Sequence, residues 1–199
     1  MIGIIDYGTG NLHSVQKAFE TCGAVTRLVK NASELTKCDK VILPGVGAFG
    51  QAMDALRRLD LIDAIALFIT HQRPFLGICL GMQLLFDNSE ESPKHQGMGM
   101  IAGTVKRIKR TMKQPHLGWN QVSHRKDAFL FQDIPDQSFF YFAHSFFAEP
   151  GEKNIISAQC EYGEPLNVAI ENEMIFAVQF HPEKSQKWGM KIIENFINL

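Results

Sequence analysis

The stretch Pro74-Phe75-Leu76-Gly77-Ile78-Cys79-Leu80-Gly81-Met82-Gln83-Leu84-Leu85-Phe86 constrains the fold of this chain more than any other. An apolar run enters Gly-x-Cys-x-Gly, and a helix-forming run leaves it. This is the pattern of a strand that turns sharply into a helix, the nucleophile elbow, with Cys79 at its apex. So tight a turn leaves little room beside the apex, and Gly77 and Gly81 supply that room. The apex residue is expected to be strained and to point out of the sheet. The N–H of Leu80 faces the same space and can donate to a developing oxyanion. The start of the following helix is expected to favour thiolate over thiol, since a free cysteine has a pKa of about 8.5. Cysteine is also among the most buried residue types, so a core role is the competing reading for Cys79.

At 199 residues the chain is long enough for one domain with a sizeable core, and residues 1–199 are read as a single domain. A formal net charge of −1 favours neither nucleic acid nor an anionic membrane as partner. Four cysteines, Cys22, Cys38, Cys79 and Cys160, fall at irregular spacings with no C-x-x-C pair. That argues against a disulfide framework or a zinc knuckle and for a reducing, cytoplasmic setting. Met1–Asp6 has neither the basic start nor the long apolar core of an export signal. No apolar run approaches the roughly 20 residues of a membrane span. No H-E-x-x-H or Cys/His cluster points to a metal, and no cofactor is expected.

In chain order, Ile2–Ile5 reads as a buried parallel strand. The Gly8/Gly10 pair after it lacks the third glycine of a dinucleotide fingerprint, since position 13 is His13. Val15, Ala18 and Phe19 recur at helical spacing, and Cys22-Gly23 closes that helix. Val25–Val29 and Lys40–Leu43 read as strands. Pro44-Gly45-Val46-Gly47-Ala48-Phe49-Gly50 then places three glycines at a strand's carboxyl end, where open α/β sheets bind ligands. An amide of Gly45 or Val46 can be the second oxyanion donor; a sharp turn without chemistry is the alternative. Residues 51–59 and 61–71 read as helices, and the elbow strand follows. The first half is thus an α/β doubly wound pattern.

The second half differs. Residues 87–103 form a long polar, glycine-rich loop, and 104–109 reads as a strand. The basic run Lys106-Arg107-Lys109-Arg110-Lys113 reads as a solvated edge rather than a nucleic-acid site, with partner docking as a third reading. Residues 139–147, strongly β-prone, are interrupted at His144-Ser145. Residues 155–158, 166–170 and 175–180 are further strands. Ser185 is placed to cap a last helix, whose Ile192, Ile193 and Phe196 form one face. A mostly parallel central sheet flanked by helices, with added antiparallel strands in the second half, is the expected architecture.

A thiol nucleophile needs a base and a group to orient it. His181 and Glu183 sit two residues apart around Pro182, which biases His181 towards extended backbone. In extended chain the two side chains point the same way, so Glu183 can hold one imidazole nitrogen and leave the other for Cys79. His144 is the rival base, ranked second because no carboxylate lies two residues away.

Together, Gly77-Ile78-Cys79-Leu80-Gly81-Met82-Gln83 and Gln179-Phe180-His181-Pro182-Glu183 resemble the class I (triad) glutamine amidotransferases. More narrowly, the Asp6-Tyr7-Gly8 and Pro44–Phe49 strings, Pro115-His116-Leu117-Gly118-Trp119-Asn120, Tyr141-Phe142-x-His144-Ser145 and His181–Ser185 resemble the glutaminase subunits of imidazole glycerol phosphate synthase. These strings run from end to end of the chain. Phe146 and Leu117 depart from the family's usual tyrosine and methionine, and neither touches the triad. The resemblance implies a flavodoxin-like amidotransferase fold and a Cys79-His181-Glu183 triad that hydrolyses glutamine. It implies that Gly47, Gln83, His144 and Ser145 line the glutamine site. It further implies a heterodimer with a (β/α)8-barrel cyclase subunit, which receives the ammonia and makes imidazole glycerol phosphate and aminoimidazole carboxamide ribotide in histidine biosynthesis. Trp119 and Asn120 are candidate interface residues, because a large aromatic among polar neighbours often anchors a partner. The rival readings are a paralogous glutaminase subunit serving another synthase, a cysteine hydrolase of similar fold, and a binding module without catalysis.

Overall fold

A computed structural model describes residues 1–199. The first half builds β1 (Ile2–Ile5), α1 (Leu12–Thr21), β2 (Thr26–Val29), α2 (Ala32–Leu35), β3 (Lys40–Gly45), α3 (Phe49–Arg58), α4 (Leu61–Thr70), β4 (Phe75–Cys79) and α5 (Leu80–Gln83). The second half adds β5 (Asn88–Ser89), β6 (Gly103–Arg107), β7 (His116–His124), β8 (Ser138–His144), β9 (Phe146–Pro150), β10 (Ile156–Glu161), β11 (Pro165–Asn172), β12 (Ile175–Val178) and α6 (Gln186–Ile197).

The main sheet has nine strands in the order β2-β1-β3-β4-β12-β11-β10-β7-β8. Its first five are parallel; from β11 onward every pairing is antiparallel. This is the mixed architecture expected from the two halves of the chain, a parallel first half joined by antiparallel strands from the second. Of the parallel strands, β1, β4 and β12 are apolar at every position because both their faces are covered, whereas the edge strand β2 carries Thr26 and Arg27. Along β3, Val41 and Leu43 pack on one face and Ile42 on the other, and β1 and β4 alternate likewise. The core therefore lies on both sides of the sheet, under α3 and α4 on one face and under α1 and α6 on the other. No helix is long and apolar enough to cross a membrane.

Several details differ from the sequence expectation. The helix behind Cys79 is a single turn, so its dipole is small and what remains at the sulfur is the local amides of the turn. A short helix, α2, separates β2 from β3 where none was expected. The Pro115–Asn120 string enters β7, a strand missed because its inward positions include Gly118 and the polar His116 and Asn120 rather than an apolar alternation. The β-prone run does break at Ser145, and the break moves the chain between sheets. β8 pairs with β7 in the large sheet, whereas β9 pairs with β6 in a three-stranded sheet. The basic run does not form an edge: β6 is the middle strand of a three-stranded sheet, between β5 and β9, and its charges are paired, Lys106 with Glu149 and Lys109 with Glu164 at 3.4 Å.

The two elbow glycines are demanded by close packing. A Cβ on Gly81 would lie 1.8 Å from the Leu43 carbonyl oxygen of β3, and one on Gly77 would lie 2.8 Å from the Gly81 oxygen. The turn thus rests directly on its neighbouring strand. Gly81→Ala is expected to destabilise the protein by about 3 kcal/mol through forced overpacking, measured from the denaturant midpoint at constant slope. An unchanged midpoint would show that this backbone contact is not made.

Candidate active site

Cys79 ends β4 with φ 55° and ψ −111°, a left-handed backbone that a non-glycine residue adopts only under local strain. Strand geometry on one side and the Gly81–Leu43 contact on the other leave it no alternative. Its side chain is buried and free of any disulfide. It faces an open cavity of about 390 Å³, the size range of small-molecule sites.

His181 reaches the same cavity because β12 lies beside β4 in parallel register, with Val178 opposite Ile78. The chain beyond β12 is pinned. The His181 amide donates to the Tyr141 carbonyl at 2.9 Å, the Ser185 hydroxyl donates to the His181 carbonyl at 2.7 Å, and the Tyr141 amide donates back to Ser185 Oγ at 2.9 Å. Ser185 precedes α6 as expected, but this engagement means that its side chain does not cap the helix. His181 Nδ1 lies 2.9 Å from Glu183 Oε1. The contact forms differently from the extended pairing expected. Only His181 is extended; Pro182–Lys184 is a 3₁₀ turn, and the Glu183 side chain folds back to the ring.

Burial pushes the imidazole of His181 down. Hydrogen bonding and charge attraction from Cys79 and Glu183 outweigh it and raise His181 to about 10. The ring is therefore an imidazolium at neutral pH. His144 is the opposite case. Its Nδ1 donates to the Phe146 carbonyl at 2.8 Å, a bond that only the protonated nitrogen can make, and its Nε2 lies 2.9 Å from His116 Nδ1. Burial first, then the charges of His116 and His181, bring it down to about 3, so it stays neutral with both nitrogens engaged. It has no free nitrogen with which to rival His181 as base, but it lines the cavity together with Ser145.

Gln83, one turn beyond Cys79, is 5 % exposed and turned inward. Its amide nitrogen donates to the Phe146 carbonyl and to Gln179 Oε1, both at 2.9 Å, and Gln179 Nε2 points at Cys79 Sγ at 3.6 Å. Gln83 and Gln179 thus form a hydrogen-bonded chain to the sulfur. Gln179 belongs to the motif Gln179-Phe180-His181-Pro182-Glu183, whose spacing alone assigns it no role. The signal was available: a glutamine follows the apolar β12, where the chain is still fully buried.

Gly45 stands opposite Cys79 in the β3–β4 register, and Val46, Gly47 and Leu80 line the cavity. The amides of Val46, Gly47 and Ala48 donate to no protein group; the first engaged amide is Phe49, which donates to Glu91 Oε2 at 2.9 Å. The rim also carries charges that the sequence reading did not single out. Glu91 and Arg107 both line the cavity without an ion-pair partner, and the Arg107 guanidinium stacks over the Phe146 ring at 4.5 Å. They are sixteen positions apart, and the hydrogen bonds that join Glu90 to β6, its amide to the Val105 carbonyl and its carboxylate to the Arg107 amide, bring them to one rim. Trp119 is 45 % exposed, edge-on to Tyr141 at 5.9 Å. Asn120 is spent inside the chain, its side-chain amide donating to the Glu161 carbonyl at 2.9 Å.

A family model, glutamine amidotransferase class-I, matches residues 3–199. The chain is 50% identical over 199 residues to the imidazole glycerol phosphate synthase subunit HisH of Methanocaldococcus jannaschii, covering 100% of both chains. It is 47% identical over 198 residues to the HisH subunit of Chlorobaculum tepidum, covering 98% of each. Among solved structures it is similar to a glutamine amidotransferase at a TM-score of 0.79 and 16% identity, over 99% of this chain and 97% of that one. It is also similar to PurLQS of Thermotoga maritima at 0.78 and 18%, again over 99% and 97%.

The raised His181 has a consequence for stability. Its contribution is fully present below the unfolded value of about 6.5 and is lost as pH rises through about 10, because the unfolded chain releases the proton first. The stability gap between wild type and His181→Asn is expected to narrow between those two pH values, read from urea unfolding. A gap independent of pH across that window would rule out the buried imidazolium.

Proposed function

The chain belongs to the class I glutamine amidotransferases, and from that premise we propose that it is the glutaminase subunit of an imidazole glycerol phosphate synthase in histidine biosynthesis. It hydrolyses glutamine to glutamate and ammonia and passes the ammonia to a (β/α)8-barrel cyclase subunit with which it forms a heterodimer. The observation that carries the reading is the strained Cys79 sharing a cavity with the His181–Glu183 pair. Full-length identity to HisH subunits supports the choice of synthase.

The Cys79 thiolate attacks the side-chain amide carbon of glutamine, and the carbonyl oxygen becomes an oxyanion. The Leu80 amide and an amide of the Gly45–Gly47 loop hold that charge. His181 gives its proton to the departing ammonia as the tetrahedral intermediate collapses to a thioester. The neutral imidazole then takes a proton from water, whose oxygen attacks the thioester and releases glutamate. Glu183 keeps His181 oriented throughout, as the third member of a triad. Gly47, Gln83, His144 and Ser145 shape the glutamine site. Glu91 and Arg107, unpaired charges of opposite sign on its rim, match the ammonium and carboxylate of a free amino acid.

A glutaminase running without an acceptor wastes its substrate. The loop amides at Val46 and Gly47 are held by no protein acceptor, so the loop is free to present or withdraw an oxyanion donor. Docking of the loaded cyclase is the event that presents it. Trp119, exposed on the β7–β8 ribbon, anchors that docking.

Glutamate release is expected to be slow for the chain alone, to rise strongly with the cyclase and its nucleotide ligand, and to vanish in Cys79→Ala. A loaded wild-type complex that releases no glutamate would refute the assignment. Trp119→Ala is expected to weaken cyclase binding by about 2 kcal/mol, roughly thirtyfold in Kd. An unchanged Kd, by titration calorimetry, would remove Trp119 from the interface.

A further inference from the structure

Two buried hydroxyls next to the oxyanion loop make no hydrogen bond, those of Tyr7 and Thr9. Tyr7 follows β1 and is 2 % exposed. Its oxygen would lie 2.6 Å from a Cβ built on Gly45, and that same point is 2.9 Å from Leu80 Cβ. The phenol oxygen therefore abuts the Gly45 α-carbon, between the two segments that supply the oxyanion amides. The Thr9 hydroxyl is near enough to act on the phenol as a hydrogen-bond partner, yet the two do not reach the geometry of a formed bond, and neither has another partner. Burial, opposed by Thr9 and aided by the charge of Cys79, pushes the phenol up to about 12, so it remains a neutral O–H donor. Buried polar groups in folded chains are almost always paired, and one left over asks for a reason. Phenylalanine would fill the same space without an orphan.

We propose that Tyr7 is a positioning residue for the oxyanion loop: its O–H donates to the Gly45 carbonyl when the Gly45–Val46 peptide turns its N–H towards Cys79. The inference rests on the glutaminase reading above. A peptide unit is planar and trans, so turning the N–H of Val46 one way swings the carbonyl of Gly45 the other way. The Val46 amide has no acceptor to give up. Only glycine at position 45 leaves room for the tyrosine oxygen against the backbone. In the withdrawn loop the hydroxyl is unpaired; in the presenting loop it gains its acceptor, which biases the loop towards the reactive arrangement.

The test is Tyr7→Phe in the complex with the cyclase and its nucleotide ligand, with Thr9→Val as neighbour control. Glutamine turnover, KM, the rate of Cys79 alkylation by iodoacetamide and the melting temperature are read together. We expect kcat to fall about tenfold, the size of one lost hydrogen bond, with KM and alkylation unchanged and melting temperature not lowered. Thr9→Val is expected to keep kcat within about twofold. Wild-type kcat in Tyr7→Phe would overturn the proposal. So would an equal loss in Thr9→Val, which would assign the effect to packing of the loop after β1. If the wild-type complex itself releases no glutamate, the glutaminase reading falls and this inference falls with it.

Discussion

The contact between Gly81 and the Leu43 carbonyl is the constraint on which the rest depends. It seats the elbow turn on β3 with no room for a side chain. Because β3 and β4 run parallel in fixed register, the same contact sets Gly45 opposite Cys79 and brings the loop after β3 to the sulfur. The strain at Cys79 is held by this packing and by the apolar burial of β4, both of which far outlast a few kcal/mol of backbone cost. The position of Cys79 and that of the Gly45–Gly47 loop are thus two outcomes of one backbone approach.

His181 arrives by a different route. β12 returns to the sheet next to β4, after the chain has crossed to its far side through four antiparallel strands. Its parallel register fixes where His181 leaves the sheet. The Tyr141–Ser185 hydrogen bonds then hold the imidazole's backbone, and Glu183 holds its ring. Charge completes the arrangement. Two neighbouring histidines are driven apart, His181 up to about 10 by partners of opposite charge and His144 down to about 3 by burial. The pair separates into a ring that holds its proton at neutral pH and a ring that stays neutral, a division that neither residue type dictates by itself.

The antiparallel half does more than complete the sheet. The break at Ser145 sends β8 and β9 into different sheets, and the cavity lies at that divergence. One end of the β7–β8 ribbon contributes His144 to the cavity, while its outward side exposes Trp119. One ribbon thus joins the cavity to an exposed aromatic.

The sequence by itself determined the parallel half, the elbow and the adjacency of His181 and Glu183. These follow from local rules: apolar runs that must be covered on both faces, glycines flanking a turn, and a proline fixing the chain beside a histidine. It did not announce β7, because a strand whose inward positions are Gly118, His116 and Asn120 carries no apolar alternation. Nor did it give the shortness of α5 or the inward turn of Gln83, since a helix's length and its buried face depend on what packs against it. Only the tertiary structure decided that Gln179 points at the sulfur, that Glu91 and Arg107 share a rim, and that the Tyr7 oxygen rests against Gly45. The partners in these contacts lie from 16 to 100 positions apart. Their meeting is set by strand order and register, which arise from non-local pairing across the sheet and leave no periodic trace in the chain.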